Sequence, residues 1–588
     1  MVNGFTGDFD ETFDWVVVGS GAGSFSSALV MRQAKRSVLI LEKTTLAGGT
    51  TAKSGGVMWI PDNRFMRAEG EADSPEAAAT YLEALNKLDG GEAPGSTPEK
   101  RLAYVTQAYQ AIDFLVQQGV ALERGPRFYP DYYDELPGSC KTTRTVVARP
   151  FNLNELGSMR TKLRTGFAPF HATLAEGMEL GFARTNPAAG RIFRRIALRT
   201  IWDKLRGRHY TTAGAALQGR MLKVALAAGI DLRLETPVDG ILIANGAARG
   251  ITITRNGKPW RIGARLGVLV NAGGFAHNQE MRDTYLPGTQ SAWSQAPEGD
   301  TGDMHRELAR HGGVLAQMDQ MVGFPMTPAP GYETRYVMPN VQGTSAKPHA
   351  ILVDQSGLRY MNEGGSYELY CETMRKRNES VPAIPSYAIF DSQHTAHYKI
   401  ADHFIDKRIP KQWLESGYLR RADTIEELAR QLAIEPVTLR STIERWNGFV
   451  DSGKDADFAR GERRFDNCGF MGDPFLAQGS LGTIDKSPFY AIPVVPGDVS
   501  TYGGVVTDAQ ARVVTADGGV IHGLYATGTT TASVMGNTYS GAGASIGPSL
   551  TFGYIAARHA AGLNASASSD DMFAIPPEEA VRKKSVEV

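Results

Sequence analysis

The chain has 588 residues, enough for two or three domains with complete hydrophobic cores. Its 62 basic and 63 acidic side chains give a formal net charge of -1, which argues against nucleic acid as a partner. The three cysteines, Cys140, Cys371 and Cys468, are too few and too widely spaced for a disulfide framework or a metal cluster. The acidic N-terminus lacks the apolar core of a secretory signal, and no run of 18 apolar residues occurs. We therefore expect a soluble cytoplasmic protein without a metal site.

The N-terminal segment has the pattern of a βαβ unit that binds a dinucleotide. An apolar strand at 16–18 leads into the glycine turn of 19–24, a helix follows, and a second apolar strand at 38–41 ends in Glu42. Glycines let the backbone approach a pyrophosphate, and the helix N-terminus offers free N–H groups. Glu42 is placed to hold the adenosine ribose hydroxyls. The predicted contacts of this unit are Gly19, Gly21, Ala22, Gly23, Ser24, Glu42 and Lys43, with Ser24 at a position where glycine or alanine is usual.

Glycine-rich segments far apart in the chain predict that several regions return to the same dinucleotide. Two glycine pairs in 47–56 flank threonine and serine donors, and a strand at 268–275 ends in glycines. Another strand with a glycine end follows at 523–528, and the loop 536–548 precedes a final helix at 549–559. Such turns predict close approach of the backbone to a large ligand.

The cofactor expected from this layout is FAD. One complete fingerprint stands near the N-terminus, no second copy occurs, and the late glycine strand is typical of FAD proteins. We expect noncovalent binding, because the residue beside Ser54 is Lys53 rather than histidine. The further predicted FAD contacts are Gly49, Thr50, Thr51, Ser54, Gly55, Gly56, Val238, Ala272, Gly273, Gly528, Ala544 and Ile546.

The predicted fold class is α/β, with a Rossmann-like FAD-binding domain interrupted by an inserted α+β substrate domain. Residues 74–119 are expected to be helical, and 230–255 alternate like strands of a small antiparallel sheet. The active site is expected at the interface of the two domains. We assign 1–279 and 475–588 to the FAD-binding domain, with a basic insertion at about 150–210 and a polar C-terminal tail, and 280–474 to the substrate (catalytic) domain.

The segment 191–208 is strongly basic. It contains seven lysines and arginines but only one acidic residue, Asp203, and apolar residues are interleaved with them. Two interpretations are open: a solvated helix packed on the protein, or a peripheral contact with an anionic membrane at its inner face. The basic residues are Arg191, Arg194, Arg195, Arg199, Lys204, Arg206 and Arg208, and the interleaved apolar residues are Ile192, Phe193, Ile196, Leu198, Ile201 and Trp202.

Four segments at both ends and in the middle of the chain carry a family resemblance: AGGTTAKSGGVMWIP, YPDYYDELPG, GLRYMNEGGSY and ASVMGNTYSGAGASIGPSLTFGYIAARH. Together they resemble the 3-ketosteroid Δ1-dehydrogenases, within the succinate dehydrogenase and fumarate reductase flavoprotein superfamily. The resemblance implies 1,2-desaturation of a 3-ketosteroid, by proton abstraction beside the ketone and hydride transfer to the flavin. It also implies a hydrophobic steroid ketone as substrate, a quinone or other electron acceptor, and a place in steroid metabolism and degradation.

Four residues acquire catalytic roles through this resemblance. Tyr539 would donate a hydrogen bond to the ketone together with the Gly543 N–H, because the carbon beside a ketone becomes acidic only if the developing enolate oxygen is stabilised. Tyr367 would be the base, and Tyr132 would hydrogen-bond to it and favour its phenolate. A phenol with a pKa near 10 needs such help to act as a base at neutral pH.

Several alternatives remain open at this point. Desaturation at the 4,5 bond, or of a non-steroid cyclic ketone, needs the same machinery, and Ser540 and Ala542 stand where many relatives have proline. A fumarate reductase-like enzyme needs cationic clamps, but the C-terminal loop has no arginine and Arg359 alone is not a clamp. The large inserted domain argues against a flavin-binding electron carrier.

Overall fold

The computed structural model describes residues 8–563, apart from 89, 128, 333–338, 340 and 470. The predicted polar tail, 564–588, lies outside the described residues. The FAD-binding part is built on an eight-stranded sheet in which the first strand lies between two parallel neighbours. From edge to edge the strands are Arg512–Val514, Val520–Ala526, Ala247–Arg255, Lys258–Val270, Glu11–Val18, Val38–Leu41 and Asp231–Arg233, and Val238–Ala244 pairs with Ala247–Arg255.

Both faces of this sheet are buried, which explains the continuous apolar runs of its first strands. Val17 and Ile40 point into a core formed with the helices on one face, whereas Val16 and Leu39 point into a second core on the other. Alternate residues of a strand face opposite sides, so only an apolar residue at every position can fill both cores. The carboxyl ends of the parallel strands consequently meet at one buried edge of the sheet.

The antiparallel sheet expected at 230–255 is only partly correct. The strands Val238–Ala244 and Ala247–Arg255 are antiparallel, as expected, but they join the main sheet. Asp231–Arg233 pairs in parallel with Val38–Leu41 and forms the edge of the sheet. Its three residues, Asp-Leu-Arg, are too short a pattern to distinguish a parallel partner far away in the chain from an antiparallel neighbour.

The last helix of the described chain, Ile546–Ala560, packs directly on the helix that follows the glycine turn, Ala22–Gln33. A Cβ atom at Gly553 would lie 2.3 Å from the Gly23 carbonyl oxygen, and one at Gly23 would lie 2.3 Å from the Ser549 carbonyl oxygen. Only glycine allows this approach of two helix backbones. The C-terminal helix is thereby held against the dinucleotide turn.

The helix expected over 74–119 is two helices, Pro75–Leu88 and Pro98–Gln117. The second starts anew because the Thr97 side chain caps it and Pro98 occupies its first turn. The other elements of this part are the helices Gly49–Lys53, Arg64–Ala68 and Ala213–Ala227 and the strands Met58–Trp59, Leu122–Arg124 and Thr145–Ala148.

The basic insertion at about 150–210 is closed at its base by two short paired strands, Phe151–Asn152 and Tyr210–Thr211. Between them lies a helix, which we call the basic helix, at Ala189–Leu205. None of the helices in the described part of the chain is long and apolar enough to cross a membrane. The remaining elements of the insertion are the helix Leu174–Glu179 and the 3₁₀ helices Leu153–Lys162 and Leu180–Phe182.

The inserted domain has an antiparallel sheet of four strands with a core on each face. One central strand, Phe489–Val494, lies beyond residue 474, so this sheet continues past the predicted boundary. The division of the chain into domains stays a prediction. In spatial order the strands are Ala350–Val353, Ser386–Asp391, Phe489–Val494 and Arg420–Ala422, and two further pairs join Leu315–Ala316 to Gly504–Val505 and Met321–Gly323 to Asp498–Thr501.

The helices of this region surround the sheet and extend to the FAD-binding part. One of them, Tyr367–Asn378, begins at a residue predicted to be catalytic. The others are Gln279–Tyr285, Asp303–Arg310, Gln342–Ser345, Ser392–His397, Lys411–Glu415, Ile425–Gln431 and Pro436–Ser452, with 3₁₀ helices at Ser291–Trp293 and Phe465–Asn467. A further 3₁₀ helix, Gly528–Thr530, follows the strand Val520–Ala526 of the main sheet.

Candidate active site

A cavity of about 560 Å³ lies where the buried edge of the main sheet meets the inserted domain and the basic insertion. The glycine turns line one half, which we call the dinucleotide half, and tyrosines and apolar side chains line the other, the substrate half. Fifteen of the predicted cofactor contacts lie on the wall of this cavity. They are Gly19, Gly21, Glu42, Lys43, Gly49, Thr50, Thr51, Ser54, Gly55, Gly56, Val238, Ala272, Gly273, Gly528 and Ile546.

Four predicted cofactor contacts, Ala22, Gly23, Ser24 and Ala544, do not line this cavity. Gly23 makes the close helix contact described above, and Ser24 Oγ lies 3.0 Å from the Asn271 side-chain amide. Ala544 borders a small neighbouring void and accepts a hydrogen bond from Tyr502 Oη at 3.5 Å. Direct cofactor contact at these four positions stays a prediction.

The backbone conformation of the dinucleotide half is suited to binding FAD. Gly19 has a φ of +95°, and a Cβ atom there would lie 2.2 Å from the Asn271 carbonyl oxygen. No other residue can make this turn without moving the next strand, and the turn brings backbone N–H groups to the cavity. Glycine is required here by geometry, as the fingerprint predicts.

Glu42 is held in a fixed orientation at the end of its strand. Its Oε2 accepts a hydrogen bond of 2.6 Å from Ser20 Oγ, and its Oε1 accepts bonds of 2.9 Å from the backbone N–H and the hydroxyl of Thr44. These three donors place a carboxylate on the cavity wall at the carboxyl end of the sheet. Ribose binding by this carboxylate stays a prediction.

Asp300 is a wall residue that was not predicted from the sequence. Its Oδ1 accepts a hydrogen bond from the Gly274 N–H, whereas its buried Oδ2 has no hydrogen-bond partner among the described residues. Burial raises the pKa of Asp300 to about 7. A buried carboxyl oxygen without a partner is costly, so Asp300 is suited to a hydroxyl group of the cofactor. Its position between Gly299 and Gly302 is the signal that could have found it.

Three of the predicted catalytic residues meet in the substrate half. The ring centroids of Tyr132 and Tyr367 are 5.3 Å apart, those of Tyr367 and Tyr539 are 5.4 Å apart, and those of Tyr132 and Tyr539 are 6.0 Å apart. Each ring comes from a different element: a loop, the first residue of a helix, and the C-terminal glycine loop. The fold therefore brings together three phenols from distant parts of the chain.

Gly543, the fourth predicted catalytic residue, lines the cavity beside this cluster. Its φ is +88°, and a Cβ atom would lie 2.4 Å from the Val57 carbonyl oxygen. The loop is fixed on its other side by the Trp59 N–H, which donates a 3.2 Å bond to the Gly543 carbonyl. The catalytic roles of Gly543 and the three tyrosines stay predictions.

The acidity of Tyr367 is changed by burial and by the neighbouring phenols. Burial raises the pKa of Tyr367 well above its usual range, and its neighbours Tyr132 and Tyr539 raise it further. The role of Tyr132 in favouring the Tyr367 phenolate stays a prediction, because it depends on which of the two phenols donates a hydrogen bond to the other.

The rest of the substrate half is apolar. The basic insertion contributes Phe167, Phe170, Leu174 and Met178, and the inserted domain contributes Phe324 with its neighbours. These side chains were not predicted, because the charge of the insertion dominates its pattern. Aromatic and long aliphatic residues spaced over 167–178 were the available signal.

Arg359 takes no part in the cavity. Its guanidinium is buried between Glu363, at 2.8 Å, and Asp455, at 2.9 Å, and it packs on Trp446. This arrangement makes Arg359 a structural residue of the inserted domain. It is therefore not available to clamp a dicarboxylate.

Comparisons with known proteins agree with this fold and cavity. The family model described as "FAD binding domain" matches residues 14–546. A 3-oxosteroid 1-dehydrogenase of Mycobacterium tuberculosis (strain ATCC 25618 / H37Rv) is 34% identical, over 94% of this chain and 98% of that protein. A 4-oxocyclohexanecarboxylate 2-dehydrogenase of Sinomonas cyclohexanicum is 31% identical, over 94% and 93%. The crystal structure of 3-ketosteroid Δ1-dehydrogenase from Sterolibacterium denitrificans with 1,4-androstadiene-3,17-dione has a TM-score of 0.86 and 32% identity, covering 94% of this chain and 100% of that one.

The fold and the dinucleotide half thus define a flavoprotein, an oxidoreductase that binds FAD. This confirms the predicted α/β class and the predicted cofactor. Within the flavoproteins, the chain belongs to the family of the 3-oxosteroid 1-dehydrogenases, as its four segments indicated.

Proposed function

We propose that this protein introduces the 1,2 double bond into a 3-ketosteroid in an FAD-dependent reaction. The observation that carries the proposal is the pair of phenols Tyr539 and Tyr367, 5.4 Å apart between ring centroids, in a cavity that continues into the dinucleotide half. One phenol can polarise a ketone while the other faces the adjacent carbon. The names of the similar proteins support the same reaction.

Each residue of the cluster has a defined task in this proposal. Tyr539 and the Gly543 N–H donate hydrogen bonds to the ketone oxygen, which lowers the energy of the enolate that forms there. Tyr367 in its phenolate form takes the proton from the carbon beside the ketone and becomes the neutral phenol, while the electrons of the broken C–H bond pass into the enolate. Bound FAD supplies the acceptor for the hydride that leaves the next carbon. The apolar wall excludes water and orients the rings of the substrate.

The wall favours a steroid over a charged cyclohexanone. The Sinomonas relative is named for a substrate that carries a carboxylate. In this chain Phe170, Leu174 and Met178 offer that group no charge. The lysines and the arginine of the wall lie with the dinucleotide half: Lys43 is paired with Asp303 at 2.6 Å, Arg164 donates a 3.1 Å bond to the Thr44 hydroxyl, and Lys53 Nζ donates a 3.5 Å bond to the Ala296 carbonyl oxygen. Burying an unpaired carboxylate against such a wall is strongly unfavourable.

The test is anaerobic reduction of the bound flavin by three ketones. Androst-4-ene-3,17-dione should bleach the visible flavin band and yield the 1,4-diene. 5α-Androstane-3,17-dione separates the two positions, because a 4,5-desaturase would convert it to the 4-ene and leave the 4-ene itself unchanged. 4-Oxocyclohexanecarboxylate tests the charged alternative. Bleaching by that compound alone would refute the steroid proposal.

We further propose that the basic helix, Ala189–Leu205, rests on an anionic membrane. Three of its apolar side chains are strongly exposed: Phe193 by 61%, Leu198 by 70% and Leu205 by 77%. Ile192 and Ile196, on its other face, are buried with Ala172, and Phe170 of the cavity wall packs against them. A helix with exposed apolar and basic side chains suits the membrane interface. A steroid dissolved in the membrane would then be close to the cavity.

Cosedimentation with vesicles tests this contact. We expect binding to vesicles with phosphatidylserine, weak binding to neutral ones, and loss of binding in the variant F193S/W202S. L414S, a change of another exposed leucine on a different helix, is the matched control. Equal binding by F193S/W202S and wild type would refute the contact.

We also propose a quinone as the electron acceptor, on the strength of the family resemblance. A quinone in the same vesicles should reoxidise the steroid-reduced enzyme without oxygen. An enzyme that stays reduced in its presence would contradict this part of the proposal.

A further inference from the structure

Ser545 touches the phenol that is proposed to hold the ketone. Its Oγ lies 3.1 Å from Tyr539 Oη, and it lines the cavity just before the helix Ile546–Ala560. No role for Ser545 follows from the glycine fingerprint or from the catalytic roles argued above.

The Ser545 hydroxyl is not used for capping the helix. Serine before a helix usually accepts a hydrogen bond from one of the first helical N–H groups. Here the residue has helical backbone angles, φ -103° and ψ -42°, and its side chain makes no capping bond. Its hydrogen bond is directed at Tyr539 instead.

The protons available at this contact determine which group donates. A phenol has one proton, so a Tyr539 that donates to a ketone can only accept from its other neighbours. Burial raises the pKa of Tyr539, and hydrogen bonds with the Ser545 hydroxyl, with Tyr367 and with the Ser545 backbone oppose that rise. By contrast, burial raises the pKa values of the neighbouring Tyr132 and Tyr367 well above the usual range.

We propose that Ser545 is a positioning residue that donates its hydroxyl proton to Tyr539 Oη and so directs the Tyr539 proton to the substrate ketone. This rests on the proposed function. Hydrogen bonds in a chain strengthen one another, so a phenol that accepts from serine is a stronger donor to the carbonyl. Ser545 acts through Tyr539 and does not itself contact the reacting carbons.

The test measures how strongly the site polarises a bound carbonyl. Androsta-1,4-diene-3,17-dione is bound to the oxidised holoenzyme, and its C3 carbonyl stretch is recorded by difference infrared spectroscopy. We expect a downshift in wild type that is clearly smaller in S545A and smaller still in Y539F, in which the Gly543 N–H remains as a donor to the ketone. Turnover of S545A should fall about tenfold, as expected when one donor to a developing oxyanion is weakened.

Matched variants separate this role from packing. S545T keeps the hydroxyl, and S545V has the shape of the threonine side chain without the hydroxyl. S545T should therefore retain the wild-type downshift, and S545V should lose the part that depends on Ser545. An unchanged downshift in both S545A and S545V, with full FAD content, would overturn this inference alone. A wild-type enzyme that neither binds the dienone nor oxidises any ring ketone would overturn the proposed function with it.

Discussion

Tyr81 donates a hydrogen bond of 2.6 Å to the carbonyl oxygen of Ser540, the residue that follows Tyr539. The same carbonyl accepts a bond of 3.1 Å from the Tyr132 N–H. Tyr81 Oη in turn accepts a bond of 3.3 Å from the Tyr133 N–H. One buried phenol on the helix Pro75–Leu88 therefore ties together the two loops that carry Tyr539 and Tyr132.

The variant Y81F should slow turnover about tenfold while FAD content stays full, because a small displacement of either loop misplaces its phenol. The loss of one hydrogen bond should lower the free energy of unfolding by about 1 kcal/mol. Steady-state kinetics and thermal unfolding of the holoenzyme measure the two effects. Y109F, which changes a tyrosine away from the cavity, is the control, and wild-type turnover in Y81F would show that the tie is dispensable.

The variant Y539F should lower kcat by on the order of 10²-fold or more, since it removes one donor to the developing oxyanion. Binding of FAD should not change. Stopped-flow reduction by the steroid isolates this step from reoxidation. If the reduction rate were that of wild type, the oxyanion role would belong to another residue.

The pH dependence of turnover should follow the ionisation of the Tyr367 phenol. Burial raises the pKa of this group, so its basic form is scarce at neutral pH and becomes more abundant as the pH rises. We expect kcat/KM to increase steadily from about pH 6 to about pH 9 without a plateau, and Y367F to lose turnover at every pH. A rate that is flat over this interval would contradict the assignment of Tyr367 as the base.

The variant E42A should weaken FAD retention, because it removes the carboxylate that Ser20 and Thr44 hold on the cavity wall. The absorption maximum of the remaining bound flavin should stay that of wild type. Gel filtration followed by the ratio of flavin to protein absorbance is the measurement. Full occupancy after filtration would remove Glu42 from the set of important contacts.

Lys100 should make stability depend on pH. It is fully buried, its Nζ donates only a long bond of 3.4 Å to the Ala532 carbonyl among the described residues, and burial lowers its pKa to about 7. The unfolded chain keeps this group charged up to about pH 10, so the free energy of unfolding should rise as the pH increases from 7 to 10. K100M should therefore be more stable at pH 7, by roughly 2 kcal/mol, with a smaller difference at pH 10. A difference that does not vary with pH would mean that Lys100 remains charged.

The residues that could be predicted lie in short sequence patterns that a backbone conformation or burial requires. The turn at Gly19 needs a positive φ, and strands such as Val16–Val18 need apolar residues on both faces. These requirements appear in a single stretch of sequence. Family resemblance links Tyr132, Tyr367 and Tyr539 although they lie far apart in the chain, and the fold places them side by side.

The residues that could not be predicted depend on distant partners. Tyr81 reaches Ser540 across more than 450 residues, and nothing near Tyr81 in the sequence indicates this bond. Asp300 is identified by a missing partner at its Oδ2, which only the folded arrangement of its neighbours reveals. The apolar wall residues around Phe170 could not be predicted, because basic residues dominate the sequence pattern of the insertion that contains them.

The contact between Gly23 and Gly553 has a consequence for biosynthesis. The N-terminal turn emerges from the ribosome first, and domains generally begin to fold as they emerge. The helix that packs on this turn lies some 530 residues later in the chain. The two helices therefore cannot pack together beside the cofactor site until translation has passed Ala560. The strand Val520–Ala526, which lies inside the main sheet, is also made late, so the sheet of a nascent chain stays incomplete until then. We therefore expect FAD to bind only after the helix Ile546–Ala560 has been made.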